Sequence, residues 1–183
     1  MAQDASYIWH GVETPSTERL RLTAADRIDV RSTVEVGDQR YDYAVELDSE
    51  WVFRALTIRT RDGRGLLLRR DTDGAWFADD EPRPDLAGAV DIDLSFSPFT
   101  NTLPIRRLNL PPRSSAEIVT AYVESPSLRV LPDPQRYTRL APDTYLYESL
   151  DSDFTRRITV DPNGFVVDYP GLFRAGGGSA LEG

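Results

Sequence analysis

The sequence predicts an all-β protein, mainly antiparallel, with little helix. Short segments in which apolar and polar residues alternate recur along the chain, and the clearest begins at Tyr41 and ends at Asp48. This alternation is the period of a strand with one buried face. Turn-forming pairs that end in glycine separate such segments, and Asn163-Gly164 is the strongest hairpin signal. We therefore expect a β-roll or curved half-barrel, whose sheet can enclose an apolar cavity.

The composition is that of one globular domain, and it excludes several functions. The chain has 183 residues, 40% of them hydrophobic, and a net charge of -9. It can therefore bury a sizeable core, but it lacks the dense basic surface that binds nucleic acid. It contains no cysteine, which excludes disulfides and thiolate sites. All 21 basic residues are arginine, a bias that we attribute to genomic composition. We expect no metal and no other cofactor.

The N-terminal residues do not resemble an export signal. Residues 1–9 have neither a basic n-region nor an apolar h-region. No apolar run approaches the length of a membrane span. The sequence therefore predicts a cytoplasmic protein without integral membrane association, and it leaves the oligomeric state open.

Strands and turns alternate through the first half of the chain. Residues 1–16 have mixed character, and strands are expected after them at 18–23, 28–36, 41–48, 51–60, 66–68 and 75–77. The turns at Gly37-Asp38, Asp62-Gly63 and Asp73-Gly74 separate these strands, because glycine readily adopts the positive φ of a tight turn. Residues 79–87 are acidic and rich in proline, and we expect them to form a surface loop.

The segment 88–110 is the one around which the rest of the prediction is organised. Apolar residues at 90, 92, 94 and 96 alternate with Asp91, Asp93 and Ser95, which predicts a half-buried strand. Pro98 ends regular pairing because it has no N–H. Residues 99–102 are expected to form a compact polar loop anchored by Phe99, and residues 105–108 to resume an extended run.

The second half is also predicted to consist of strands. Ser114 and Glu117 have the spacing of a helix capping box, but residues 118–123 are rich in β-branched and aromatic residues, so we predict a strand there. Further strands are expected at 127–131, 135–140, 144–150, 155–160 and 165–169. The glycine-rich end, residues 175–183, is typical of a flexible tail.

Two parts of the chain are similar to each other. Residues 47–58 resemble residues 150–160 with a one-residue gap; each follows a Tyr-x-Tyr strand and precedes a turn that ends in glycine. Chance is the alternative explanation, because strands use a limited set of residues. We expect one domain, residues 1–174, with related halves at about 17–87 and 111–173 that are joined by 88–110.

Residues 98–108, Pro-Phe-Thr-Asn-Thr-Leu-Pro-Ile-Arg-Arg-Leu, resemble the signature of a bacterial family described as putative glycolipid-binding proteins. Residues 84–88, 136–140, 145–149 and 168–173 match the same family, so the resemblance covers residues 54–173. The resemblance implies a β-rich roll similar to that of bacterial lipoprotein carriers, and a ligand of the glycolipid class. It carries over no catalytic or binding residues.

Asp91 and Asp93 are the candidates for acid/base chemistry. They lie two residues apart on one face of the predicted strand, which places their Cβ atoms about 6.6 Å apart. Such a pair suits general acid/base catalysis. Two other interpretations are a solvated strand face and a pair of acceptors for sugar hydroxyls.

Polar side chains of the signature segment are candidates for ligand contacts. Asn101, which lies between two threonines, could bind polyol hydroxyls or close its own loop. Arg106 and Arg107 would point to opposite faces of an extended run. The inward one could bind a phosphate or carboxylate headgroup, or pair with one of the two aspartates.

Aromatic residues and the lone histidine complete the candidate set. Four tyrosines combine a ring with a hydroxyl, which suits sugar stacking as well as an ordinary place in the core: Tyr122, Tyr137, Tyr145 and Tyr147. The chain has one histidine, His10, and no Gly-x-Ser-x-Gly elbow. We expect a surface role for His10, because it lies near a terminus.

These observations predict non-enzymatic binding of an amphipathic ligand, a glycolipid or a related lipid, in a cavity of the roll. The predicted ligand contacts are Asp91, Asp93, Asn101, Arg106, Tyr122 and Tyr147. One alternative is a hydrolase that acts on a sugar or lipid ester with Asp91 and Asp93. The other is an interaction scaffold without a pocket.

Overall fold

The computed structural model describes residues 3–179, and these form one large sheet with a single α-helix. The strands are β1 (Gln3–Gly11), β2 (Ser16–Ala24), β3 (Arg27–Val36), β4 (Gln39–Asp48), β5 (Phe53–Thr60), β6 (Gly65–Arg70), β7 (Trp76–Ala78), β8 (Glu81–Pro82), β9 (Ala89–Leu94), β10 (Ser115–Glu124), β11 (Arg129–Ala141), β12 (Thr144–Ser149), β13 (Thr155–Val160), β14 (Val166–Tyr169) and β15 (Phe173–Ser179). The helix α1 is Phe99–Leu108, and a short 3-10 turn spans Pro84–Leu86.

The sheet order follows the chain with one rearrangement. It runs β8-β7-β6-β5-β4-β3-β2-β1-β15-β14-β13-β12-β11-β10-β9. The first and last strands pair in the middle, and β9 and β10 pair in parallel, whereas the other described pairings are antiparallel. The all-β prediction, with its mainly antiparallel curved sheet, is therefore confirmed.

The sheet curves until distant strands come into contact, without closing into a barrel. The Tyr41 hydroxyl on β4 lies 2.6 Å from Ser125 Oγ, which follows β10. Near the other edge, Trp76 Nε1 on β7 donates to the Ala89 carbonyl on β9 at 3.0 Å. The Tyr41 hydroxyl and the Trp76 indole thus each meet a polar partner from the other half of the curved sheet.

The core consists of two hydrophobic clusters. Strand β10 separates them: Ala121 and Val123 belong to the first cluster, whereas Ala116 and Ile118 pack against the second. This division follows from the strand period, since odd and even positions point to opposite faces. Protein therefore packs on both faces of β10, whereas Ser115 and Glu117 at its start are exposed.

The prediction of a loop and an extended run at 99–108 is wrong, because these residues form α1. Pro98 is at the helix N-cap and Pro104 lies inside the helix. Burial overrides the unfavourable proline, since Phe99 and Leu103 are fully buried in the first cluster and Ile105 is in the second.

Three other segments differ from their predictions. Residues 3–11, expected to be mixed, form β1. Strand β11 runs unbroken through Pro132 and Pro134, where two shorter strands were expected. Where the sequence predicts a flexible tail from 175 onward, the chain is in strand β15 as far as Ser179; residues 180–183 lie outside the described residues.

The two similar segments form strands with the same connectivity. Strands β4, β5 and β6 are consecutive antiparallel neighbours, and so are β12, β13 and β14. Gly63 and Gly164 both have positive φ in the turns that follow the repeated segments. Superposition of the two halves stays a prediction.

Candidate functional site

A cavity of about 480 Å³ lies where the end of β9 and the start of α1 meet strands β10, β11, β12 and β14. The residues that line it are Asp93, Leu94, Ser95, Ser97, Asn101, Tyr122, Leu131, Pro132, Asp133, Tyr147, Ser149, Asp151, Ser152, Phe154, Tyr169, Leu172 and Phe173. Because β9, β10 and β11 are neighbours in the sheet, side chains far apart in sequence share this wall.

A buried amide joins two carboxylates of this cavity. Gln135 is fully buried, and its Nε2 donates to Asp93 Oδ2 at 2.7 Å and to Asp133 Oδ2 at 2.5 Å. Thr120 Oγ1 is a third acceptor, at 3.1 Å from the same nitrogen. The Thr100 hydroxyl on α1 donates to Asp93 Oδ1 at 3.1 Å. Two carboxylates are thus held close together by neutral donors.

Burial changes the protonation of these two acids. Loss of solvent raises the pKa of Asp93 to about 6, because a buried carboxylate loses its hydration; repulsion by Asp133 adds to this effect and the Gln135 hydrogen bond opposes it. Burial also raises the pKa of Asp133, which Asp151 increases further. With a pKa of about 6, Asp93 is mostly ionised near neutral pH and can exchange a proton.

Aromatic side chains form the opposing part of the wall. The Tyr147 ring packs edge-on against Phe154, with ring centroids 5.9 Å apart, and is tilted against Tyr169 at 6.3 Å. Burial raises the pKa of the Tyr122, Tyr147 and Tyr169 hydroxyls, so these groups stay neutral. The cavity thus offers flat apolar faces beside hydrogen-bonding hydroxyls.

Two residues of the lining connect the cavity to the protein interior. Asn101 on α1 is buried, and its Nδ2 donates to the Tyr137 hydroxyl at 2.9 Å. Ser97 Oγ donates to Glu18 Oε1 at 3.0 Å, and the same oxygen accepts the Tyr43 hydroxyl at 2.5 Å. Burial raises the pKa of Glu18 to about 7. These contacts fix the positions of both lining residues.

The structure brings four of the six predicted site residues together. Asp93, Asn101, Tyr122 and Tyr147 line this cavity. Asp91 is not among the lining residues: its fully buried carboxylate pairs with Arg107 on α1, with Nη2 and Oδ2 2.5 Å apart. The sequence left open whether an arginine of this segment binds a headgroup or pairs with one of the two aspartates, and Arg107 pairs with Asp91.

Arg106, the sixth predicted residue, lies at a second cavity of about 680 Å³ beyond the C-terminal end of α1. Its guanidinium is 4.0 Å from the centroid of the Trp51 ring, and Nη1 donates to the Asn163 carbonyl at 2.5 Å. Burial lowers the pKa of Arg106. Tyr145 lines the same second cavity, and Arg139 stacks on its ring at 5.7 Å.

Asp133 and Gln135 are functional candidates that the sequence did not reveal. They lie in a Pro-Asp-Pro-Gln run that resembles a loop, and only their place in β11 sets them near Asp93. Asp133 and Gln135 are two residues apart, which puts both side chains on one face of a strand. That spacing would have been the signal, but the neighbouring prolines argued against a strand.

The remaining candidates fit no site. His10 is exposed and lies 3.3 Å from the Thr17 hydroxyl, in accord with the predicted surface role. Within residues 3–179 no cluster of histidine and acidic side chains could hold a metal. Over the same residues, no helix is long and apolar enough to cross a membrane.

Comparisons with known proteins point to one family. The profile of a family described as putative glycolipid-binding matches residues 6–175. The crystal structure of a DUF1089 family protein from Pseudomonas aeruginosa is similar in fold, with a TM-score of 0.77 and 38% sequence identity; the match covers 89% of this chain and 94% of that chain. None of the curated proteins compared with this chain matches it.

Proposed function

Because the chain belongs to the putative glycolipid-binding family, we propose that it binds the headgroup of an amphipathic glycolipid in the 480 Å³ cavity. The observation that supports the proposal is the combination of carboxylates and aromatic rings in one concave site. Sugar hydroxyls donate to carboxylates such as Asp93, and the C–H face of a sugar ring packs on an aromatic face such as Tyr122. The ligand contacts on this proposal are Asp93, Asn101, Tyr122 and Tyr147.

The size of the cavity fits this role. Small-molecule sites commonly have volumes of about 300–1,000 Å³, with a few polar groups in a mostly apolar wall. The 480 Å³ of this cavity is at the lower part of that range, which suits a headgroup better than a complete lipid. The acyl chains would accordingly lie outside the cavity.

Exposed leucines at the cavity mouth offer a surface for the lipid part. Leu131 is in the lining and Leu150 lies between the lining residues Ser149 and Asp151, and each leucine is 38% exposed. Apolar chains that leave the cavity would cover these side chains and remove them from water. The leucines thereby match the amphipathic character that we propose for the ligand.

Binding without catalysis is part of the proposal. The hydrolase alternative uses Asp91 and Asp93 together, but the Asp91 carboxylate is engaged by Arg107 and lies outside the cavity lining. An interaction scaffold would need no cavity, whereas this protein has one lined by three aspartates. The cytoplasmic location stays a prediction from the sequence.

Calorimetric titration with octyl glucoside, below its micelle concentration, tests the proposal. Tyr122→Phe removes one hydroxyl from the cavity and should weaken binding about fivefold, the effect of one ordinary hydrogen bond. Tyr145→Phe removes a hydroxyl from the second cavity and should bind like the native protein. Native mass spectrometry of protein purified from its host should show a bound glycolipid. Failure to bind any glycoside or glycolipid would overturn the proposal.

A further inference from the structure

A buried cluster around Gln135 has more hydrogen-bond acceptors than donors, and two of its members, Asp93 and Asp133, line the 480 Å³ cavity. The Gln135 amide nitrogen has two hydrogens, and three acceptors surround it: Asp93, Asp133 and Thr120. Gln135 Oε1, in a side chain with no exposed surface, has no hydrogen-bond partner among the described residues. One oxygen of each carboxylate, Oδ2 of Asp93 and of Asp133, lies within 2.7 Å of Gln135 Nε2. The acceptors of this cluster therefore outnumber the hydrogen-bond donors that reach them.

The cavity also lacks a cation to balance its acids. Three aspartates line it, namely Asp93, Asp133 and Asp151, and none of the described lining residues is basic. Asp151 accepts the Ser149 hydroxyl at 2.7 Å. Arg156 is not in the lining, although its guanidinium lies 4.6 Å from the centroid of the ring of the lining residue Phe154. It donates to the Thr155 carbonyl, and it forms no ion pair with these acids among the described contacts.

Two neighbouring carboxylates that line a cavity without a cationic partner favour one class of ligand. We propose that the cavity selects a headgroup with a primary amine, an amino sugar whose nitrogen is not acetylated, and that its ammonium contacts Asp93 and Asp133 from the cavity side. This inference rests on the proposed function, because it concerns the same site. An ammonium supplies the donors and the positive charge that the cluster lacks. A phosphate or carboxylate headgroup would meet repulsion from all three acids.

Proton release provides a second signature of this mode of binding. Without ligand, Asp93 has a pKa of about 6, so part of it is protonated at that pH. An ammonium favours the carboxylate form and displaces the proton. The affinity for the amine should therefore rise between about pH 5 and pH 7, whereas a neutral glycoside should show a weaker dependence on pH.

Four octyl glycosides of matched shape separate the possibilities in a calorimetric titration near pH 7. They carry glucose, glucosamine, N-acetylglucosamine or glucuronic acid as the headgroup. We expect the glucosamine compound to bind at least about tenfold more tightly than the other three. Near pH 6, titrations in buffers of different ionisation enthalpy should show that a proton is released on binding.

Two substitutions of equal charge change locate the effect. Asp133→Asn should abolish most of the preference for the amine, measured as the ratio of the affinities for the glucosamine and glucose compounds. Asp143→Asn, at the second cavity, should leave the preference intact. If the glucose or glucuronic acid compound binds as well as the amine, the inference is overturned and the proposed function stands. If none of the four compounds binds and no glycolipid is found bound by native mass spectrometry, both are overturned.

Discussion

Arg107 and Asp91 form a two-point ion pair that fastens the last turn of α1 to the middle of β9. Nη2 lies 2.5 Å from Oδ2, and Nε lies 3.1 Å from Oδ1. The aspartate side chain has no exposed surface, and the arginine side chain is 20% exposed. The contact holds the helix that forms one wall of the cavity, although neither residue lines that cavity.

Arg107→Gln should destabilise the protein by about 3–5 kcal/mol, because it leaves a buried carboxylate without its charged partner. Urea denaturation measures the change. Arg174→Gln is the matched control, since Arg174 forms an exposed pair with Asp168, and it should cost at most about 1 kcal/mol. The folded fraction of Arg107→Gln should bind a ligand of the 480 Å³ cavity with the same affinity as the native protein. Similar small losses for both variants would contradict this account of the pair.

Glu18 should make the protein more stable in mild acid. Its pKa is raised from 4.5 to about 7 in the folded state, so the folded state binds the proton more tightly than the unfolded state. The stabilisation is fully present below pH 4.5 and is lost as the pH rises through 7. The difference amounts to about 3 kcal/mol. Thermal or urea denaturation from about pH 5 to pH 8 would show this slope.

Glu18→Gln tests whether this residue causes the slope. An amide oxygen can still accept the hydrogen bonds of Tyr43, Ser32 and Ser97, but it does not titrate. The variant should lose most of the pH dependence between pH 4.5 and 7, and what remains should reflect Asp93. An unchanged slope would assign the effect to other groups.

Phe99→Ala should lower the free energy of unfolding by about 3–5 kcal/mol, as expected for an aromatic ring removed from a packed core. Phe99 has no exposed surface and stacks near Phe165, with centroids 6.3 Å apart. Leu131→Ala, at an exposed position of the cavity mouth, is the comparison and should cost far less. Denaturation midpoints measure both. Equal losses would mean that α1 is not anchored by this ring.

Arg106→Ala should lower stability by about 1–3 kcal/mol, because it removes the stacking on Trp51 and the hydrogen bond to the Asn163 carbonyl. Affinity for a ligand of the 480 Å³ cavity should be unchanged, since Arg106 lies at the other end of α1. Denaturation and calorimetric titration of the same preparation measure the two effects. Weaker binding with native stability would make Arg106 a ligand contact, as the sequence suggested.

The strand pattern could be predicted from the sequence because it is a local property. The burial of alternate residues in β4 follows the alternation of its side chains, since each residue of a strand reverses direction. The choice of a strand over a helix at 118–123 was also correct, since these residues lie in β10, because β-branched residues favour extended backbone. Asn163-Gly164 and Asp62-Gly63 form turns for the same local reason.

The candidate site was predictable only in part. Asp93 and Tyr122 were identified by chemical type, and the sheet places them opposite each other on β9 and β10. Asp133 and Gln135 were missed, because their closeness to Asp93 depends on β11 crossing to the far side of β10. No spacing in the sequence encodes that arrangement.

The sequence by itself determined the all-β class, the turns and the family, because strand period, glycine turns and a long signature are local patterns. Only the tertiary structure decided that residues 99–108 are helical, since the burial of Phe99, Leu103 and Ile105 between two clusters outweighs an internal proline. The tertiary structure also decided which partners the two aspartates have. Asp91 and Asp93 lie two residues apart on β9, but Asp91 pairs with Arg107 of the helix and Asp93 accepts a hydrogen bond from Gln135. The partners differ because different elements pack over the two positions.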